Sequence, residues 1–220
     1  MDLLSAGLSS VLMTSMSRAY GNGGVMALID SMWTSIRYFH FLGLIVAGVG
    51  AFWSSPIIGV LYGDRYEGAV AIMIGLSLIG GLTFTDGVLS AALTVMERQK
   101  QLVVVAVTSW VVIVASSAAL IAGLGIQGAI IVCVVSKAFF FYCLVALTRQ
   151  FVPLNVSWRP FAVLTIAGMT SALPGLLLLV YADNHSTRLL AGLLYALVLL
   201  ALSFRTGFWR SEDKAQFRVV

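Results

Sequence analysis

Apolar residues run through this chain in long blocks, and the polar residues gather in short islands between them. The pattern draws seven apolar segments, at 3–17, 38–61, 69–96, 101–122, 126–147, 161–181 and 189–204. A helix needs about 20 residues to cross the hydrocarbon of a bilayer. The middle five segments meet that length; the first and last are shorter. The regular in–out alternation that marks a transmembrane barrel strand is absent. The pattern therefore predicts an all-α, polytopic integral membrane bundle of about seven transmembrane helices.

The islands set the domain boundaries. Residues 1–17 read as a first, short transmembrane segment and 18–37 as a cytoplasmic linker. Within the linker, Gly21-Asn22-Gly23-Gly24 reads as a turn. The following stretch, 25–36, is either a plain connector or an amphipathic helix lying on the membrane surface. Residues 38–204 form a six-helix bundle, and 205–220 a basic cytoplasmic tail. Gly123-Leu124-Gly125-Ile126-Gln127-Gly128 reads as an uncharged hairpin, and residues 62–68 as a short polar cap. Helix breakers stand inside two spans, Gly80-Gly81 in the third and Pro174-Gly175 in the sixth. Proline removes a backbone hydrogen bond and kinks a helix, so a bend is expected there.

Charge gives the orientation. Taking alternate loops, one side holds Arg18, Arg37, Arg98, Lys100, Arg149, Arg159, Arg205, Arg210, Lys214 and Arg218, and the other only Arg65 and Arg188. The positive-inside rule places the ten in the cytoplasm, the N-terminus outside and the C-terminal tail inside. The expected location is the cytoplasmic (inner) membrane. Met1-Asp2-Leu3-Leu4 puts an acid where a secretory leader carries basic residues, so no cleavable signal is expected. The net charge of +4 comes from membrane edges and is no nucleic-acid signal. With 60% hydrophobic and 10% charged residues, the chain has too little charge to cover a soluble domain of this size.

Two charges lie inside the apolar blocks. Lys137 stands in the middle of 126–147, and Asp86 in the third segment, nearer its cytoplasmic end. A charge at the centre of a bilayer costs roughly 2.5–3.5 kcal/mol on insertion scales, so such residues face a partner, a water-filled cavity or a substrate. The two segments run in the same direction, which makes an Asp86–Lys137 pair geometrically possible. That pair could be a purely structural one; alternatively Lys137 faces a phosphate-bearing substrate, or Asp86 couples transport to a cation. Phe139-Phe140-Phe141-Tyr142 beside Lys137 reads first as packing or lipid contact.

The chain shows no enzyme motif. It has no paired-carboxylate motif, no Gly-x-Ser-x-Gly, no His-Glu-x-x-His and no phosphate-binding loop. Asp64 and Glu67 suit a solvated cap. His40 and His185 have no neighbouring ligand set, so neither a metal nor a cofactor is expected. Cys133 and Cys143 lie ten residues apart on one segment and read as small hydrophobes.

Four stretches carry a family resemblance. They are Ser15-Met16-Ser17-Arg18 leading into the linker; Ser55-Pro56-Ile57-Ile58-Gly59-Val60-Leu61-Tyr62-Gly63-Asp64-Arg65-Tyr66 before Gly68-Ala69; Met96-Glu97-Arg98-Gln99-Lys100; and Gly125-Ile126-Gln127-Gly128-Ala129. In order and spacing they resemble the carboxyl half of polysaccharide (O-antigen type) flippases, in the multidrug/oligosaccharidyl-lipid/polysaccharide exporter superfamily. Glu97 stands where that family usually has a glycine. The resemblance implies one lobe of a two-lobed alternating-access transporter. The substrate would be a lipid-pyrophosphate-linked oligosaccharide, moved across the cytoplasmic membrane in polysaccharide (lipopolysaccharide) biosynthesis. It implies as partners the membrane lipids and a missing amino-terminal lobe or a second copy of the chain. Lys137, Arg98 and Lys100 would attract the pyrophosphate, and Asp86 completes the candidate substrate-binding set. The alternatives are a cation-coupled drug exporter of the same superfamily and a truncated, non-transporting membrane scaffold.

Overall fold

The computed structural model describes residues 2–151, 159–181, 184–205 and 208–209. Among them every regular element is a helix: α1 (Asp2–Tyr62), a 3-10 turn (Asp64–Tyr66), α2 (Ala69–Val95), α3 (Gln99–Phe151), α4 (Arg159–Tyr181) and α5 (His185–Arg205). All five α-helices contain stretches long and apolar enough to cross a membrane. The all-α expectation holds, but the helices number five where about seven were expected. The difference lies in α1 and α3, of 61 and 53 residues. Each takes in two expected segments, and helical structure continues through the joining stretch up to a single glycine.

Those glycines are Gly24 (φ 64°, ψ −153°) in α1 and Gly125 (φ 58°, ψ −130°) in α3. Positive φ brings a Cβ against the following carbonyl, so glycine is the residue that takes it without cost. At α3 the consequence is a reversal. A straight helix of that length would run about 80 Å, far beyond the roughly 30 Å hydrocarbon core. Instead the Arg98 guanidinium, one residue before α3, lies 4.3 Å from the ring centroid of Phe151, its last residue. A Cβ on Gly128 would collide with the Leu120 carbonyl. The two arms of α3, 99–124 and 126–151, therefore fold back on each other at Gly125.

The breakers expected at Pro174-Gly175 and Gly80-Gly81 leave their helices unbroken: α4 and α2 run through them. Gly81 serves another purpose, because a Cβ on Gly43 would strike its carbonyl oxygen. Small residues let two helix backbones approach where lipid supplies no hydrophobic push.

The chain divides into two compact units, residues 1–43 with 78–155, and 44–77 with 156–220. In the first, Leu28, Met32 and Ile36 recur at helical spacing and are almost wholly buried. The 25–36 stretch is thus helical, continuous with the span that follows. Val88, Leu89, Ala91, Ala92 and Leu93 are buried, so the later part of α2 is enclosed on most of its faces. The outgoing arm of α3 is different: Val103, Val104, Val107, Trp110, Val111 and Val114 are exposed. In a membrane, such an apolar face suits contact with lipid.

In the second unit α4 packs on α5. Trp53 Nε1–H donates to the Leu189 carbonyl at 3.1 Å, and the Tyr195 hydroxyl donates to the Leu44 carbonyl at 2.9 Å. Just past α5, Phe208 and Trp209 are buried. Phe208 meets Phe161 edge-on at 5.8 Å, and Trp209 Nε1–H donates to Ser203 Oγ at 3.0 Å. Most of the expected basic tail, including Arg210, Lys214 and Arg218, lies outside the described residues.

Candidate functional site

Serine and threonine are the commonest polar residues within these helices, and most bond a carbonyl one turn back on their own helix. Thr148 Oγ1 donates to Leu144 O at 2.8 Å and Ser171 Oγ to Ala167 O at 2.6 Å. Local bonds of this kind satisfy a hydroxyl without any partner helix. Asp86 and Lys137 have no such local solution, and they find each other.

Lys137 Nζ lies 2.6 Å from Asp86 Oδ2. Asp86 comes from the closely buried stretch of α2, and Lys137 from the returning arm of α3. The reversal at Gly125 is what brings the lysine back to α2. The two side chains are not equally enclosed. The Asp86 side chain is 5% exposed and that of Lys137 is 21% exposed. Lys137 Nζ also lies 5.3 Å from the Phe140 ring centroid, within reach of a cation–π attraction. Asp86 Oδ1 is buried and has no hydrogen-bond partner among the described residues. The carboxylate is thus sealed and half-satisfied, while the ammonium stays partly reachable.

Arg98 and Lys100 sit elsewhere, where α2 turns into α3. Nine residues of helix, about 14 Å at 1.5 Å per residue, separate Asp86 from the end of α2 at Val95. The turn is a Schellman cap. Arg98 N–H donates to Leu93 O at 2.9 Å and Glu97 N–H to Thr94 O at 3.0 Å. That motif needs one left-handed residue, and Glu97 supplies it with φ 59°. A glycine is the usual occupant of such a position. Glu97, Arg98, Gln99, Lys100 and Gln101 line an open pocket of about 570 Å³ there. Arg98 stacks on Phe151, and both Arg98 and Lys100 are exposed.

Of the four residues singled out from the sequence, the structure pairs Asp86 with Lys137 and places Arg98 and Lys100 together at the turn. It adds Phe140, one turn on from Lys137, whose aromatic run had read as packing. The spacing of three residues was the available signal. Cys133 and Cys143 are free thiols, and no cluster of three metal-ligating side chains occurs among the described residues. Comparison of the chain with protein-family models, with curated proteins and with solved structures finds no match.

Proposed function

We infer that the chain is a membrane transporter, or the carboxyl-terminal lobe of one, that moves a lipid-linked oligosaccharide across the cytoplasmic membrane in polysaccharide biosynthesis. The observation that carries this reading is the Lys137–Asp86 pair, set in apolar helices with its ammonium partly exposed and its carboxylate enclosed. A pyrophosphate headgroup must be neutralised when it leaves water for low dielectric. Arg98 and Lys100 would gather it at the cytoplasmic mouth, and Lys137 would receive it deeper. Asp86 would keep Lys137 charged and aimed while no substrate is present. No bond is made or broken in this role, so the chain acts as a carrier and not as an enzyme.

In this reading the chain crosses the membrane seven times. α1 and α3 each supply two crossings, divided at Gly24 and Gly125, and the ten-to-two distribution of basic residues puts the N-terminus outside and the tail inside. The transport path would be completed by an amino-terminal lobe or a second copy.

The 2.6 Å contact also favours a second reading, in which the pair is purely structural. Complementation of a flippase-deficient strain separates the two, with the chain expressed alone and beside an amino-terminal lobe. If Lys137 meets substrate, Lys137→Arg keeps part of the activity and Lys137→Ala loses it. The double variant Lys137→Ala/Asp86→Ala then stays inactive at normal protein level. If the double variant regains both level and activity, the pair is structural. Failure of the unsubstituted chain to complement under either condition would overturn the transport reading.

A further inference from the structure

A second polar site lies in the unit formed by 44–77 and 156–220. Ser55, Ile58 and Gly59 near the end of α1, Gly63, Glu67 and Val70 around the short turn, and Asn184, His185 and Arg188 at the start of α5 enclose a cavity of about 500 Å³. It is not legible from the sequence, where Glu67 suits a solvated cap and His185 has no neighbouring ligand set.

The cavity is built, not a gap between loose loops. Asn184 and Thr187 cap α5 reciprocally: Thr187 N–H donates to Asn184 Oδ1 at 2.9 Å, and Asn184 N–H donates to Thr187 Oγ1 at 3.0 Å. This cap fixes the first turn, from which His185 and Arg188 project three residues apart along one face. Gly59 leaves room for the imidazole, since a Cβ there would come within 3.0 Å of His185 Cε1. The Trp53–Leu189 bond ties α5 to α1 one residue beyond Arg188.

Two features define the occupant. First, opposite charges line one cavity. Arg188, with His185, stands at the positive end of the α5 dipole, so that wall favours an anion. Glu67 offers an acceptor for a cation. Second, the cavity has a position along the helices that suits headgroup depth in a membrane. It opens where apolar helices end, beside Tyr62 and Tyr66, whose rings lie 5.7 Å apart and are more than half exposed. Exposed tyrosines of this kind mark the membrane–water interface. Val60 and Leu61, 83% and 65% exposed, continue the rim as an apolar surface suited to acyl chains.

We propose that this cavity binds the headgroup of a zwitterionic phospholipid, with the phosphate at Arg188 and His185 and the ammonium at Glu67. The site is separate from the Lys137–Asp86 pair and stands whether or not the chain transports anything.

The test is lipid retention by the purified full-length chain in detergent, read by native mass spectrometry. The chain is offered equal amounts of phosphatidylethanolamine and phosphatidylglycerol with matched acyl chains. One charge-assisted contact, at about 1.4 kcal/mol per tenfold, gives an expected preference of about tenfold for phosphatidylethanolamine. Glu67→Gln should bring that ratio to about one while phosphate-bearing lipids are still retained. Arg188→Gln should lose both lipids. Glu67 is exposed, so its variant keeps the test informative if Arg188→Gln unfolds. Equal retention of the two lipids by the unsubstituted chain overturns the proposal, as does an unchanged ratio in Glu67→Gln. A soluble glycerophosphoethanolamine that displaces the lipid at equal concentration would show a site for a free phosphate ester, and would overturn it too.

Discussion

In the unit of residues 44–77 and 156–220, two ties between described helices are neutral: an indole N–H and a phenol O–H each donate to a backbone carbonyl of another helix. In the unit of residues 1–43 and 78–155, the tie between α2 and the returning arm of α3 is a full ion pair. The neutral ties demand little, because tryptophan and tyrosine are mostly apolar and need only one partner each. The ion pair demands both partners at once. Removing one leaves an uncompensated charge in low dielectric, whereas an apolar pair of similar volume would pack as well or better. The neutral bonds are therefore explained by stability alone. The ion pair is not, and that asymmetry is the reason for placing function on it.

The largest expected effect tests that asymmetry directly. Breaking a buried ion pair from one side costs about 3–5 kcal/mol. Lys137→Ala and Asp86→Ala should each lower the amount of folded protein in the membrane. The double variant should recover most of it, since no charge is then stranded. Folded yield, measured by retention in a monodisperse detergent peak, checks this. Losses that simply add in the double variant would show that the two side chains are held independently, and the comparison would fail.

The neutral ties should behave in the opposite way. Tyr195→Phe and Trp53→Phe each remove one hydrogen bond between helices, worth on average about 0.6 kcal/mol in membrane proteins and up to about 1.7, and Trp53→Phe also trims the indole that lies against Gly192. Tyr195 also packs on Phe52 at 6.1 Å, and phenylalanine keeps that contact. Each variant should shift thermal unfolding slightly, and the pair should shift it by the sum. A loss as large as that of Lys137→Ala would erase the distinction between the two units.

Much of this arrangement was legible in the sequence, for physical reasons that differ by element. The apolar blocks gave an all-helical chain because bilayer length and backbone satisfaction leave few other solutions. Asp86 and Lys137 stood out because a charge in an apolar block is costly wherever it lies. The number of separate helices was not legible, since a glycine can turn the chain within what is otherwise one helical run, as at Gly125. At Pro174, where the missing N–H predicts a bend, α4 stays helical on both sides, so a proline inside an apolar block does not by itself divide a span. The cavity at Glu67, His185 and Arg188 was invisible because its walls are more than a hundred residues apart.

The smallest expected effect concerns Glu97, which belongs to the cap between α2 and α3 and to neither kind of tie. Its φ of 59° is one that a residue with a Cβ reaches at a cost. The two capping hydrogen bonds are made by backbone N–H groups of Glu97 and Arg98, so they do not depend on the Glu97 side chain. Glycine would keep both bonds and remove the Cβ strain, though it would also widen the unfolded ensemble. The left-handed conformation costs about 1–2 kcal/mol for an ordinary residue, and glycine's greater unfolded freedom returns about 0.5–1 kcal/mol of that. Glu97→Gly should therefore stabilise by about 0.5–1 kcal/mol, while Glu97→Ala, which keeps the Cβ, should not. Thermal unfolding of the two variants side by side reads the difference. A destabilised Glu97→Gly would mean that the carboxylate holds the turn through its own contacts, and that an exposed charge in the first unit matters as the buried pair does.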